Sequence, residues 1–212
     1  MPVFGQGPGN APAWCELECF DVIPLLPDES IELARRREKE KLIVCEGECT
    51  IEINGRELPG TPGANIDLAP DETSFILRDI IRPLKAVWMS GRWGDEVGGS
   101  GLFSVVADDP PTTGDSAYDY EKTTSFDNHF HDCDEYWIIY EGSGIAYSEN
   151  KRYEVRPGQC IATGTGFNHD FPEVTEGPVK AVYFETTMER EKRPGHLHEP
   201  ADGKATPAEE RV

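Results

Sequence analysis

Short apolar runs, each closed by turn residues, recur along this chain. Leu42-Ile43-Val44-Cys45 ends at Glu46-Gly47, and Trp137-Ile138-Ile139-Tyr140 ends at Glu141-Gly142. β-branched and aromatic residues in runs of four to eight between turn signals predict strands. Each run is followed by a second one, Thr50–Ile53 and Ile145–Ser148, then by a tight turn at Asn54-Gly55 or Glu149-Asn150. A Pro-Gly turn (Pro62-Gly63, Pro157-Gly158) leads to a further strand, and the series closes on Leu84–Ser90 or Val179–Thr187. The two series stand at one offset, 136 − 41 = 95, without a gap, and Pro83, Lys85, Ala86 and Val87 still match Pro178, Lys180, Ala181 and Val182. A fixed-offset repeat of this length predicts a duplicated domain. Since a lone hairpin is marginal in water, each copy must bury one face against more strands or close into a barrel. The expected organisation is residues 1–95, residues 96–190, and a charged tail over 191–212 that is peripheral or makes subunit contacts. Arg92–Asn128, with Asp108-Asp109-Pro110-Pro111, reads as the connection. The only hint of helical periodicity is the highly charged stretch Pro27–Lys41.

Composition agrees with an all-β class. The 21 Gly and 17 Pro cut the 212 residues into short segments, and 9 Phe, 7 Tyr and 4 Trp supply a core despite an apolar fraction of 37%. A formal charge of −20 repels phosphate backbones and anionic lipid, so neither nucleic acid nor a membrane is an expected partner. No apolar run approaches the roughly 20 residues that span a bilayer. Without a basic and apolar leader, and with six cysteines in no convincing disulfide or zinc pattern, the expected setting is a reducing cytoplasm.

Candidate chemistry lies in the second copy, in Asn-His-Phe-His-Asp-Cys-Asp-Glu, residues 128–135. Alternate residues of a strand share a face, so His129 and His131 can reach one ion, and Glu135 has the same parity if the strand stays regular. His169, after Gly164-Thr165-Gly166, brings a third imidazole from another strand. Neutral imidazoles with one carboxylate suit Mn, Fe, Co, Ni or Zn and leave positions for water or substrate. Only five histidines occur in the chain. His196 and His198 lie in the Pro/Gly-rich tail, where a flexible segment would hold no preorganised site.

These segments resemble the two motifs of the cupin superfamily. The spacing from His129 to Gly142 fits the first, HxH-x3,4-E-x6-G, although Thr123 stands where its leading glycine belongs. Gly158, Gly166 and His169 fit the second, with Gly164 in place of the proline and Pro172 in place of the closing asparagine. The resemblance implies two tandem cupin barrels (double-stranded β-helix, or jelly-roll), with one divalent ion held by His129, His131, Glu135 and His169 inside the second. At the repeat offset these positions become Ala34, Arg36, Glu40 and Ser74, so the first copy is expected to serve as scaffold and dimerisation domain without metal. Cupins often form homodimers, and that is the expected assembly.

Residues sharing the ligands' parity, Trp137, Tyr147, Phe167 and Phe171, are candidate walls of a pocket for a small polar substrate, or else core. Cys133 is a neighbour of the ligands or a buried thiol, not a nucleophile without a base. The preferred expectation is isomerase, epimerase or lyase chemistry on a sugar or hydroxy-carbonyl compound, with Glu135 as the nearest base. An Fe(II)-dependent dioxygenase and a non-catalytic small-molecule-binding protein are the alternatives.

Overall fold

The computed structural model describes residues 1–108 and 114–212; Asp109-Pro110-Pro111, assigned above to the connection, lie outside them. The described residues are all-β, with twelve strands in two compact units, Gln6–Trp93 and Met1–Gly5 with Gly94–Val212. No helix is long and apolar enough to cross a membrane among the described residues.

The first unit contains β2 (Leu17–Leu25), β3 (Ile31–Ala34), β4 (Lys39–Ile53), β5 (Arg56–Gly60), β6 (Asn65–Asp67) and β7 (Ser74–Gly91). Its sheet runs β2-β7-β4-β5, with β3 on β7 and β6 on β4, all antiparallel. Leu42, Val44, Ile51, Ile53, Phe75, Leu77 and Ala86 turn inward to make one core. Alternation of buried and exposed positions on β3, with Leu33 in and Glu32 and Ala34 out, replaces the helical periodicity expected over Pro27–Lys41.

The second unit contains β1 (Val3–Gly5), β8 (Val97–Val105), β9 (Glu135–Ser148), β10 (Lys151–Val155), β11 (Gln159–Thr163) and β12 (His169–Thr187), in the order β1-β11-β9-β12-β8 with β10 on β9. The duplication extends to register. Leu42 faces Trp88 as Trp137 faces Tyr183, and Ala34 faces Ser74 as His129 faces His169. Trp137, Ile139, Ala146, Ile161, Phe171, Val179 and Ala181 form the core.

The connection over Arg92–Asn128 contains a full strand, β8, paired with β12 from Val97↔Thr187 to Val105↔Val179. Its glycines hide it in the sequence, since they leave no apolar alternation. They are required by the opposite strand: a Cβ on Gly101 would lie 2.9 Å from the Tyr183 ring, and one on Gly98 2.7 Å from the Cβ of Glu185. The tail is not peripheral either. Phe130 and Leu197 exchange both backbone hydrogen bonds at 3.0 Å and bury with Ala205. Arg193 forks Asp132 and Arg211 reaches Asp134 at 2.6 Å. Few of these anchors are apolar, so a hydrophobic pattern could not reveal them.

Candidate metal centre

His129, His131, Glu135 and His169 converge inside the second unit. His169 opens β12 and exchanges backbone hydrogen bonds with His129 at 2.8 and 3.1 Å, which fixes two of the rings side by side. The next residue, Phe130, pairs outward with Leu197, so His131 returns to the face of His129. The His131 carbonyl accepts from Gly166 N at 2.9 Å. Gly166 sits at φ 77°, where an added Cβ would lie 2.7 Å from the Thr206 carbonyl carbon, so only glycine fits. The chain then turns through residues 132–134, sending the Asp132 and Asp134 carboxylates outward to arginines, and Glu135 points in as the first residue of β9.

Every ring in the set is oriented by a backbone carbonyl. His129 Nδ1 donates to Asp127 O (2.9 Å), His131 Nδ1 to Gly195 O (3.0 Å) and His169 Nδ1 to Phe167 O (2.9 Å). A carbonyl only accepts, so each Nδ1 carries a proton and each Nε2 points inward, where that of His169 is hydrogen-bonded to Glu135 Oε2. These three Nε2 atoms lie 4.0, 3.3 and 2.7 Å from Glu135 Oε2. The Nε2 atoms of His129 and His131 are buried and meet no hydrogen-bond partner. Orphaned acceptors converging on a carboxylate oxygen repel one another unless a proton or a cation lies between them. The four ligand atoms lie within 4.8 Å of one another, and this buried set suits a single metal ion.

Burial and the neighbouring His169 and His131 hold the His129 imidazole well below its ordinary pKa, so it is neutral. Burial pushes His131 down, but Glu135, Glu185 and the Gly195 carbonyl together outweigh it and the net shift is upward. Burial pushes Glu135 up, yet His131 and His169 outweigh it and the carboxyl falls well below the usual range.

A second carboxylate, not anticipated above, lies beside the set. Glu185 pairs with Glu135 across β9 and β12, so their side chains share a face, and its Oε1 lies 4.0 Å from His131 Nδ1. Burial first, then Glu135, raises its pKa. It was legible only through the β9–β12 pairing, because its counterpart at the repeat offset is Ser90. Cys133 is buried beside Glu185, and burial raises its thiol pKa, which leaves it protonated and unreactive.

The four candidate wall residues separate into two pairs. Trp137 packs edge-on against His169, with ring centroids 5.3 Å apart, and Phe171 lies 6.1 Å from Trp137 in the same core. Tyr147 and Phe167 instead line a cleft of ≈ 770 Å³ with Tyr118, Tyr120 and Asn168. Parity fails for Tyr147 because β9 is interrupted at Gly142 (φ 72°), and register slips against β12 around it; Ala146, not Tyr147, then faces the core. Phe126 is the missed wall, with its ring 5.8 Å from His129 and 5.2 Å from Trp137. The repeat carried that signal, since its counterpart is the partly buried Ile31. The tail also enters the site: the His196 ring stacks flat on His129, 3.7 Å between centroids at 0°.

In the first unit the equivalent space is filled. Glu40 accepts from Trp88 Nε1 (2.7 Å), Ser90 Oγ (2.6 Å) and the backbone N–H groups of Arg36 (2.6 Å) and Arg37 (2.7 Å). The Arg36 guanidinium covers the Trp88 ring at 3.4 Å.

No protein-family model matches the chain. The protein y4oW of Sinorhizobium fredii, itself described as uncharacterized, is 38% identical over 213 residues, covering 100% of this chain and 97% of y4oW. The chain belongs to the y4oW family. Among solved structures, AerE from Microcystis aeruginosa is similar at TM-score 0.54 and 11% identity, covering 79% of this chain and 86% of its own. YhaK from Escherichia coli is similar at 0.53 and 13%, covering 88% and 93%. A cupin 2 conserved barrel domain protein from Leptotrichia buccalis is matched at 0.40 and 16%, covering 79% and 83%. The fold of this family member is all-β, in two units, and is similar to that of AerE and YhaK.

Proposed function

We propose that the chain is a metal-dependent cupin enzyme that binds one divalent transition metal in its second unit, through His129, His131, Glu135 and His169, and moves a proton on a small hydroxy-carbonyl substrate. The observation that carries the metal assignment is the pair of buried, unpartnered Nε2 atoms facing Glu135 Oε2. A divalent ion there supplies Lewis-acid polarisation of a substrate oxygen. With Glu135 turned toward all three imidazoles, Glu185 is the better proton carrier, since burial and the adjacent Glu135 charge favour its protonated form. Phe126, Trp137 and Phe171 exclude water on one side of the set.

The test begins with elemental analysis of untagged protein and a thermal-shift screen of sugars and hydroxy acids. Any stabilising compound is then incubated in heavy water with and without labelled O2. Deuterium fixed at carbon without oxygen uptake supports the proposal. Labelled oxygen in the product would replace it by the dioxygenase reading, and stabilisation without product by a binding role.

A further inference from the structure

The antiparallel bridge between Phe130 and Leu197 lays His129-Phe130-His131 beside His196-Leu197-His198. Phe130 and Leu197 bury together, so the histidines flanking each turn to the opposite face. One pair feeds the buried set described above. The other meets Asp127: His196 Nδ1 and His198 Nε2 each lie 2.8 Å from the same oxygen, Oδ2. These three ligand atoms lie within 4.8 Å of one another. The side chains are 45%, 21% and 19% exposed for His196, His198 and Asp127, unlike the sealed set beneath.

We propose that Asp127, His196 and His198 form a second, solvent-open site for a divalent transition metal. Two imidazole nitrogens with one carboxylate oxygen favour Zn, Cu, Ni or Co over Mg or Ca, and three protein donors leave positions for water. The donors are held before any ion arrives. His196 is stacked on His129, His198 N donates to Asp202 Oδ2 at 2.9 Å, and Glu199 N donates to Ser116 Oγ at 2.9 Å. Preorganised donors spend little ordering entropy on binding. Exposure makes the ion exchangeable, whereas an ion in the buried set would survive desalting. The site rests on its own three residues and not on the reading of the buried set.

The test is a titration of desalted, as-purified protein with Zn2+ against a chromogenic chelator, repeated with Cu2+ and paramagnetic resonance. The wild type should take up one exchangeable equivalent, with two nitrogens coupled to Cu2+. His198→Ala and Asp127→Asn should weaken it by about tenfold or more, and His198→Ala should leave a single coupled nitrogen. Asp127→Asn retains a hydrogen-bond acceptor for the imidazoles, so the segment stays seated while the anionic donor is lost; unchanged melting in chelator checks this. His169→Ala, which breaks the buried set, should keep the exchangeable equivalent. Failure of the buried-site reading therefore leaves this one standing. The proposal is overturned if the wild type takes up no exchangeable ion, or if both variants titrate like the wild type.

Discussion

Replacing Arg193 by Met tests whether the C-terminal segment is part of the metal centre. Arg193 Nε and Nη2 donate to the two oxygens of Asp132 at 2.8 Å each, and its backbone N donates to Oδ2 at 3.1 Å. The Asp132 side chain is fully buried and that of Arg193 is 31% exposed. Met preserves most of the aliphatic stem but leaves Asp132 with the backbone N–H as its remaining partner at this contact. Breaking a fully buried charge pair costs about 3–5 kcal/mol, while exposed pairs are worth at most about 1. A half-buried fork with one surviving hydrogen bond falls at about 2 kcal/mol, which lowers the melting temperature of a domain of this size by about 4–8 °C. Two residues beyond the fork, Gly195 O orients His131 through Nδ1. Loosening such a partner costs about ten- to hundredfold in metal affinity. Calorimetry of the chelated protein reads the first quantity and competition with a chelator the second. Glu191→Gln is the control, because Glu191 lies 3.6 Å from the same guanidinium but takes no part in the fork. A variant melting within about 1 °C of the wild type, with affinity within about twofold, would refute the role of the segment.

Three further outcomes follow from the site. Because Glu135 raises the His131 pKa against burial, an incoming ion must displace that proton; affinity is full above the raised pKa and falls as pH drops through it, so a competition titration that is flat between about pH 5 and 8 contradicts this. His169→Ala should lose the buried ion while circular dichroism still shows a cooperative β-type transition, since the core of the second unit is built from apolar residues independent of the ion; an unfolded apo protein would contradict it. With a substrate in hand, Glu185→Gln should keep the metal but lower turnover by about 10²–10⁴-fold, and unchanged turnover would remove Glu185 from the mechanism.

The repeat and the four clustered residues were legible because both are matters of spacing. An offset of 95 preserves cross-strand pairs, and alternate positions of an extended segment share a face whatever else surrounds them. Where spacing alone does not decide, the sequence was silent or misleading. β8 carries glycines where Tyr183 and Glu185 need room, so its signature is an absence of side chains. Tyr147 has the right parity by counting, but the interruption at Gly142 turns it out of the core. His196 and His198 lie in a segment of low apolar content that is seated by Arg193, Arg211 and one Phe130–Leu197 bridge. Long-range ion pairs have no periodicity to read.

In the proposed centre, three imidazoles and Glu135 hold one ion inside the second unit. Anomalous diffraction at transition-metal absorption edges, from crystals grown without added metal, addresses it directly. One buried peak is expected about 2.0–2.2 Å from the Nε2 atoms of His129, His131 and His169 and from Glu135 Oε2. A map with no peak there would contradict the proposal.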